Sequence, residues 1–357
     1  MNVVSARGIA STAGAFTAIA SLLWPAAVCA APELAAVHCA HDAAELAGFL
    51  SDVSNGGTAN GHDNVIRLVA GTFAANGATF SFNSHSGFAL TLDGGYDFNC
   101  ITQDLTPGKT VLDGGGPGPG AVEVLSLQSS GDVTVSRLTI QHGFKAGSSN
   151  GGGAGIYLAN ASAIAVFDDN QVLNNSTDYA AGGLSIFGTG TVHIDGNLFA
   201  GNSAPSVAAV FADMNAGSMV YLNNNTITGN INSTVGPAVS ALGPAGHVAN
   251  NISYANTGSY DFYLYANGTI GFVDNDYHSI SGTPAAGGHG NVDVNPLFAG
   301  IGNYRLAADS PLRASGTASA AGSLPAADLD GHAFPLAGKV DVGAWNETLF
   351  ADGFDVP

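Results

Sequence analysis

VFDDNQVLNNS at 166–176, HIDGNLFAGNS at 193–203, YLNNNTITGNI at 221–231, HVANNISYANT at 247–257 and FVDNDYHSISG at 272–282 are five versions of one unit. Anchored on Asn170, Asn197, Asn225, Asn250 and Asn275, they recur every 27, 28, 25 and 25 residues. An earlier turn, VTVSRLTIQHG at 133–143, has the same shape with Leu138 in the asparagine's place. In three units a second asparagine follows five residues on, at Asn175, Asn202 and Asn230. Each unit alternates apolar and polar residues, turns at Asn or Gly, alternates again, and then enters a Gly-rich stretch. Alternation with period two marks short strands, and no helical period runs through the repeats.

One such unit cannot bury its own apolar face, so the units must stack. Three-strand coils about 4.8 Å apart make an all-β solenoid, a parallel β-helix. Equivalent residues then lie above one another. An asparagine at a tight turn tolerates left-handed backbone angles and passes its amide to the asparagine of the next coil. Residues 42–53, DAAELAGFLSDV, space Leu46, Phe49, Leu50 and Val53 helically behind Asp42 as N-cap. That pattern predicts a short helix plugging the open end of the first coil.

The first residues read as a secretory signal peptide, with Arg7, an apolar run from Ile9 to Leu23, and Val28 and Ala30 before a cut after Ala30. The run is short for a span of ~20 residues, and no later stretch is long and apolar enough to cross a bilayer. The chain thus divides into a leader at 1–30, a capped β-helix at 31–295 and an Ala-, Pro- and Gly-rich C-terminal cap and tail at 296–357. Past the cut two cysteines remain, Cys39 and Cys100. In an oxidising compartment an even pair reads as a disulfide, and the alternative is a metal site shared with His38 and His41.

Of 357 residues only 8 are Lys or Arg against 27 Asp or Glu, a formal net charge of -19. A chain with so few cations cannot neutralise a run of phosphates or tether itself to anionic lipid, which excludes nucleic-acid binders and polybasic membrane anchors. The hydrophobic fraction of 46% excludes charge-driven disorder.

GGY at 94–96, Cys100 and TVLDGG at 110–115 resemble the opening coils of bacterial secreted right-handed β-helix proteins. NPLFAGIGNYRLAADSP at 295–311, ADLDG at 327–331 and VDVGAW at 340–345 resemble the C-terminal region of β-helix proteins described as having a choice of surface anchors. Asn295, Val342, Trp345 and Asn346 depart from the usual Asp-Pro-Leu-Phe and Asp-Ile-Gly-Ala-Tyr-Glu of that region. Phe167 to Asn170, Phe199 to Asn202 and AGGLSI at 181–186 are similar to polymorphic outer-membrane and autotransporter passenger repeats, and LFADGFD at 349–355 to a terminal tag of secreted proteins. The resemblance implies a right-handed single-stranded parallel β-helix of pectate-lyase-like fold and export to the medium or the cell surface. It leaves the activity open, since a fold does not fix a function.

Many proteins of this fold cleave polysaccharides, on the outer face of the sheet that follows the long loops. Aligning coils by their Gly starts places Tyr157, Ser185, Ala209, Ser240 and Tyr263 in one outward column of that sheet. Ala159, Phe187, Phe211, Leu242 and Tyr265 fall in the next. Neither column supplies an acid, a base or an activated nucleophile. Between Lys145 and Arg305 there is no Lys or Arg, while nine Asp fall in the span. That argues against the lyase chemistry of acidic sugars, which needs a cationic base or clamp. Asp168 and Asp169 are candidates for the paired carboxylates of hydrolysis, but neighbours on a strand point to opposite faces, and turn-capping is the competing reading. For a metal, Asp274, Asp276 and Asp261, with Asp293, offer hard oxygens to Ca²⁺; solvated turn residues are the alternative.

The expectation is a secreted or surface-associated, non-catalytic protein that contacts an extracellular or cell-surface polysaccharide or protein. The contact would run through the aromatic strip of Phe187, Phe211, Leu242, Tyr263 and Tyr265, unless loops or the tail bury it. The alternatives are a polysaccharide lyase or glycoside hydrolase, and a structural stalk without ligand.

Overall fold

A computed structural model of the chain describes residues 34–347, apart from 117, 119–120, 148–150, 268, 323 and 335–337 and the side chains of 265–267. The leader at 1–30 and the LFADGFD motif lie outside the described residues. One coil shows the plan. The chain runs through Leu184–Gly188, turns at Thr189-Gly190 into Thr191–Asp195, turns at Gly196-Asn197 into Leu198–Ala200, and passes the two-residue strand Ser203–Ala204 before a longer loop leads to Val210–Met214 in the next coil. Repeated, these segments build parallel sheets of nine, eight and seven strands among the described residues, joined by a four-stranded ribbon of two-residue strands. This is an all-β parallel β-helix of about eight turns, the architecture expected from the repeats.

Stacking in register puts like on like. Val135, Phe167, Ile194, Leu222, Val248 and Phe272 line up across the nine-stranded sheet, and all are buried. Ile140, Val172, Phe199 and Ile227 do the same in the seven-stranded sheet. Phe167 and Phe199 face each other across the interior with ring centroids 6.3 Å apart. Each such side chain contributes roughly 1.5–3 kcal/mol by leaving water, so a coil holds only because its neighbours complete its core.

The turns are held by two asparagine ladders. Asn170, Asn197, Asn225, Asn251, Asn275 and Asn291 form the first, each backbone N–H and side-chain amide donating to Oδ1 of the next at 2.9–3.2 Å. The fourth anchor is therefore Asn251, not Asn250, and the steps around it are 26 and 24 residues. The residue before each rung has a left-handed backbone, Asp169, Gly196, Asn224, Asn250, Asp274 and Gly290, as does Arg137 before Leu138. Two adjacent asparagines thus do different work, Asn250 supplying the turn angle and Asn251 the rung. At Gly196 a side chain would also collide, since a Cβ there would lie 2.8 Å from Asp169 Oδ1 and 3.1 Å from Pro325. Leu138 can only donate its N–H, to Asn170 Oδ1 at 3.0 Å, so the first ladder ends there. The second ladder runs Asn175, Asn202, Asn230 and Asn256, one rung further than the repeats suggested.

Helix α1 (Ala43–Val53) starts at Asp42, whose side chain accepts from the N–H groups of Ala44 and Glu45, and it buries Leu46, Leu50 and Val53 against the first coils. Cys39 and Cys100 form a disulfide with Cα atoms 5.8 Å apart, tying the strand before the helix to the loop at 97–109. Beyond Asp293 the chain returns along the outside of the stack. Thr317 bonds Asn250, Gly322 packs on Tyr221, Pro325 on Gly196, and Gly331 lies so close to Leu105 that a Cβ would meet it at 2.5 Å. The segment then doubles back, with Ala344 N–H donating to Thr226 Oγ1 at 3.0 Å. Leu329, Ala344 and Trp345 pack on Leu198 and Ala200, and Leu306, Leu312 and Val342 pack on Ile252, so the tail covers the outer face of the seven-stranded sheet.

Candidate functional site

The eight-stranded sheet keeps its outer face. Its register defines one outward column of Ser81, Ser126, Gly155, Ser185, Phe211, Ser240 and Tyr263, and a second of Asn83, Gln128, Tyr157, Phe187, Asp213 and Leu242. The alignment by Gly starts is correct for Ser185, Phe187, Ser240, Leu242 and Tyr263 but slips by two residues in two strands. Tyr157 belongs beside Phe187, and Phe211 beside Ser185, because these strands are Ala154–Leu158 and Val210–Met214. The slip has a chemical consequence: Ala209 and Ala159 leave the face, and the exposed Asp213 enters it as an acid between Phe187 and Leu242. Tyr265 is in the following strand, Tyr260–Asn267, and its side chain is outside the described residues.

Phe187 and Phe211 touch edge to face, with centroids 5.4 Å apart. Phe211, Leu242 and Tyr263, with Tyr179 and Tyr260, line a groove of about 660 Å³ between the loops. Gln128, Tyr157 and Phe187 line a second hollow of about 460 Å³ on the same face. Among the described residues the strip is left open: Tyr157 is 44% exposed, Tyr260 41% and Tyr179 59%, while Phe187, Phe211 and Tyr263 are half-buried. Neither hollow is lined by Lys or Arg, and Asp178 and Asp213 stand at their edges.

Tyr260 is shared with a third cavity, of about 540 Å³, lined also by Tyr254, Tyr277, Asp261, Asp276, Asp293 and His278. Asp261 is fully engaged. Its Oδ1 accepts from Ser253 Oγ at 2.9 Å, and its Oδ2 accepts from the N–H groups of His278 and Ser279 at 2.9 and 3.0 Å. Asp293 pairs with His278 Nδ1 at 2.9 Å, a hydrogen bond that raises the imidazole pKa. Asp276 is 1% exposed; its Oδ1 accepts from Val294 N–H at 2.9 Å, and its buried Oδ2 has no hydrogen-bond partner. Burial pushes its pKa up to about 7, with Asp293 and Asp261 adding to the rise.

The other acidic candidates have different places. Asp274 occupies a left-handed turn position, 3.7 Å from His289, and does not join Asp261 and Asp276 at the cavity. Among the described residues no group of three or more His, Cys, Asp or Glu is placed to hold a metal ion. Asp168 ends its strand and Asp169 sits in the turn, so strand alternation stops between them. Instead of facing apart, they interact. Asp168 pairs in register with Asp195, Asp169 lies 3.4 Å from Arg137, and burial raises the pKa of both, Asp168 to about 6. Neither caps a turn through its Oδ1, and neither lines the cavities above.

Residues that the repeats did not single out are Tyr179 and Tyr260 at the groove, Asp213 on the sheet, and Tyr254 and Tyr277 at the cavity. Tyr260 was within reach, since it opens an alternating run with Phe262 and Leu264. No helix among the described residues is long and apolar enough to cross a membrane. Compared with known protein families and with curated proteins, the chain matches none, so the functional reading rests on the fold and this face.

Proposed function

We propose that the outer face of the eight-stranded sheet binds an extended, non-acidic polysaccharide, and that the protein works outside the cell or on its surface without cleaving its ligand. The observation that carries the reading is the open aromatic line of Tyr157, Phe187, Phe211 and Tyr263 along one sheet, unclaimed by the described part of the tail, which covers another. Aromatic faces stack on the apolar faces of sugar rings, and Tyr157, Phe187 and Phe211 come from three successive coils. Ser126 and the exposed Asp213 offer a hydroxyl and a carboxyl to ring hydroxyls, as sites that fix orientation do, while Ser185 and Ser240 are buried in the sheet. The lack of Lys and Arg argues against an acidic polymer. The apolar leader and the resemblance of the C-terminal segment to exported β-helix proteins support the location, as does the disulfide.

The test is a polysaccharide array probed with the wild-type chain and with a Phe211→Ala, Tyr263→Ala double variant. Retention of non-acidic glycans by the wild type and their loss in the variant supports the reading. Release of reducing ends or unsaturated products would replace it with an enzymatic one, and the absence of any binding would leave a structural stalk.

A further inference from the structure

We infer that the cavity beside Tyr260 is a subsite for an organic ammonium group, so that the glycan held in the adjoining groove carries free amino sugars. This rests on the glycan reading and narrows it to one ligand class. Three tyrosines, Tyr254, Tyr260 and Tyr277, and three aspartates, Asp261, Asp276 and Asp293, line the cavity with no Lys or Arg among them. Aromatic faces together with carboxyl groups are what a desolvated ammonium ion requires. The surrounding span from 146 to 304 has no Lys or Arg and nine Asp, so its field draws cations in.

The acids alone would not make a site, since turn carboxyl groups are common in a solenoid. The deciding feature is Asp276 Oδ2, buried at the cavity with no partner, where the carboxyl groups of Asp261 and Asp293 are both occupied by hydrogen bonds. A buried acceptor without a donor is costly. An ammonium N–H supplies that donor and its charge together. The raised pKa of Asp276 fits the same picture, because no cation now compensates its burial. The one competing cation is His278, which is exposed and engaged by Asp293.

Proton linkage separates an amine from its acetylated form. An ammonium ion binds the ionised Asp276, so its affinity falls as pH drops from 7 to 5. An N-acetyl carbonyl needs a proton on Asp276 as donor, so its affinity rises over the same range. Asp261, Asp293, His278 and the three tyrosines face the same cavity, and the Asp276→Asn variant isolates the contribution of the one group.

The experiment is calorimetry with β-linked trimers of glucosamine, N-acetylglucosamine and glucose at pH 7 and pH 5. The proteins are the wild type and the Asp276→Asn, Asp293→Asn and Phe211→Ala variants, each checked for an unchanged circular dichroism spectrum. The expected result is a preference for the glucosamine trimer on the order of tenfold at pH 7, lost in Asp276→Asn and reduced in Asp293→Asn. Asp293 is exposed, so that variant answers the question if Asp276→Asn does not fold. Equal affinity for all three trimers, with binding still lost in Phe211→Ala, overturns the ammonium subsite and leaves the groove reading intact. A preference that survives both aspartate variants also overturns it, and no binding of any trimer overturns both readings.

Discussion

Asn197 donates twice to a single atom: its backbone N–H and its side-chain amide both reach Asn225 Oδ1 at 3.0 Å, in a site without solvent. Replacing Asn225 with Leu strands the Asn197 backbone N–H and takes the Asn225 amide from the Ile194 carbonyl, while the Asn197 side-chain amide keeps the carbonyls of Phe167 and Asp195. Each buried group left unpaired costs about 1–3 kcal/mol, so a loss of roughly 2–5 kcal/mol is expected in denaturant unfolding. A similar substitution at Asn256, the half-buried last rung of the second ladder, should cost clearly less. Equal losses at the two sites would mean that burial does not set the strength of the ladder.

Reduction of Cys39–Cys100, or Cys39→Ser, releases a loop of sequence separation 61. The chain-entropy model puts that at about 4 kcal/mol. Thermal unfolding with and without a thiol reductant gives the measurement. Hydrogen exchange should localise the loss to helix α1 and the strand Ala36–Ala40 ahead of the coils that follow.

Acidic pH should stabilise this protein. Asp195 is buried, and burial raises its pKa to about 6; Asp168, its partner in register, is raised to about 6 as well. A carboxyl group whose folded pKa lies above its unfolded value of 3.8 stabilises the fold below the unfolded pKa, and this contribution is lost as pH rises through the folded one. The stability from these groups should therefore decline between about pH 4 and pH 6, by on the order of 2 kcal/mol for Asp195. Urea midpoints at pH 5 and pH 8 test it: the midpoint should be higher at pH 5, and Asp195→Asn should narrow the gap. A higher midpoint at pH 8 in the wild type would contradict the account.

On the open face, Phe211→Ala and Tyr263→Ala each remove a half-buried ring that points away from the core. Stability should shift by no more than about 1 kcal/mol, since only the Phe187–Phe211 contact is lost with the ring. Glycan affinity should fall by about tenfold for each, the range of a lost aromatic anchor. A melting temperature that drops with the affinity would show the rings to be structural.

The ladders, the helix behind Asp42 and the cysteine pair were legible because each leaves a local mark: a polar residue at a fixed interval, a cap before an apolar period, an even count. What escaped depends on loops. The stretches ahead of the strands that hold Tyr157 and Phe211 differ between coils, Gly-Gly-Gly at 151–153 but Pro-Ser-Val-Ala-Ala at 205–209, and aligning the coils by glycine moved both residues by one inward-outward pair, hiding Asp213. Asn250 and Asn251 have the same side chain, so only the backbone angle tells turn from rung. The acidic cavity draws on segments from Ser253 to Val294 that meet only once the last coils close. The return path of the tail has no period at all.

That return path changes what kind of object the stack is. Coils that touch only their neighbours melt one at a time from a free end. Here a single run of chain between Thr317 and Gly331 is fastened at Asn250, Tyr221, Gly196 and Leu105 in turn, and Leu105 belongs to the same loop as Cys100. The disulfide holds that loop to the N-terminal strand. The two ends of the solenoid are thereby spliced into one closed circuit, and damage at the last coil is felt at the first.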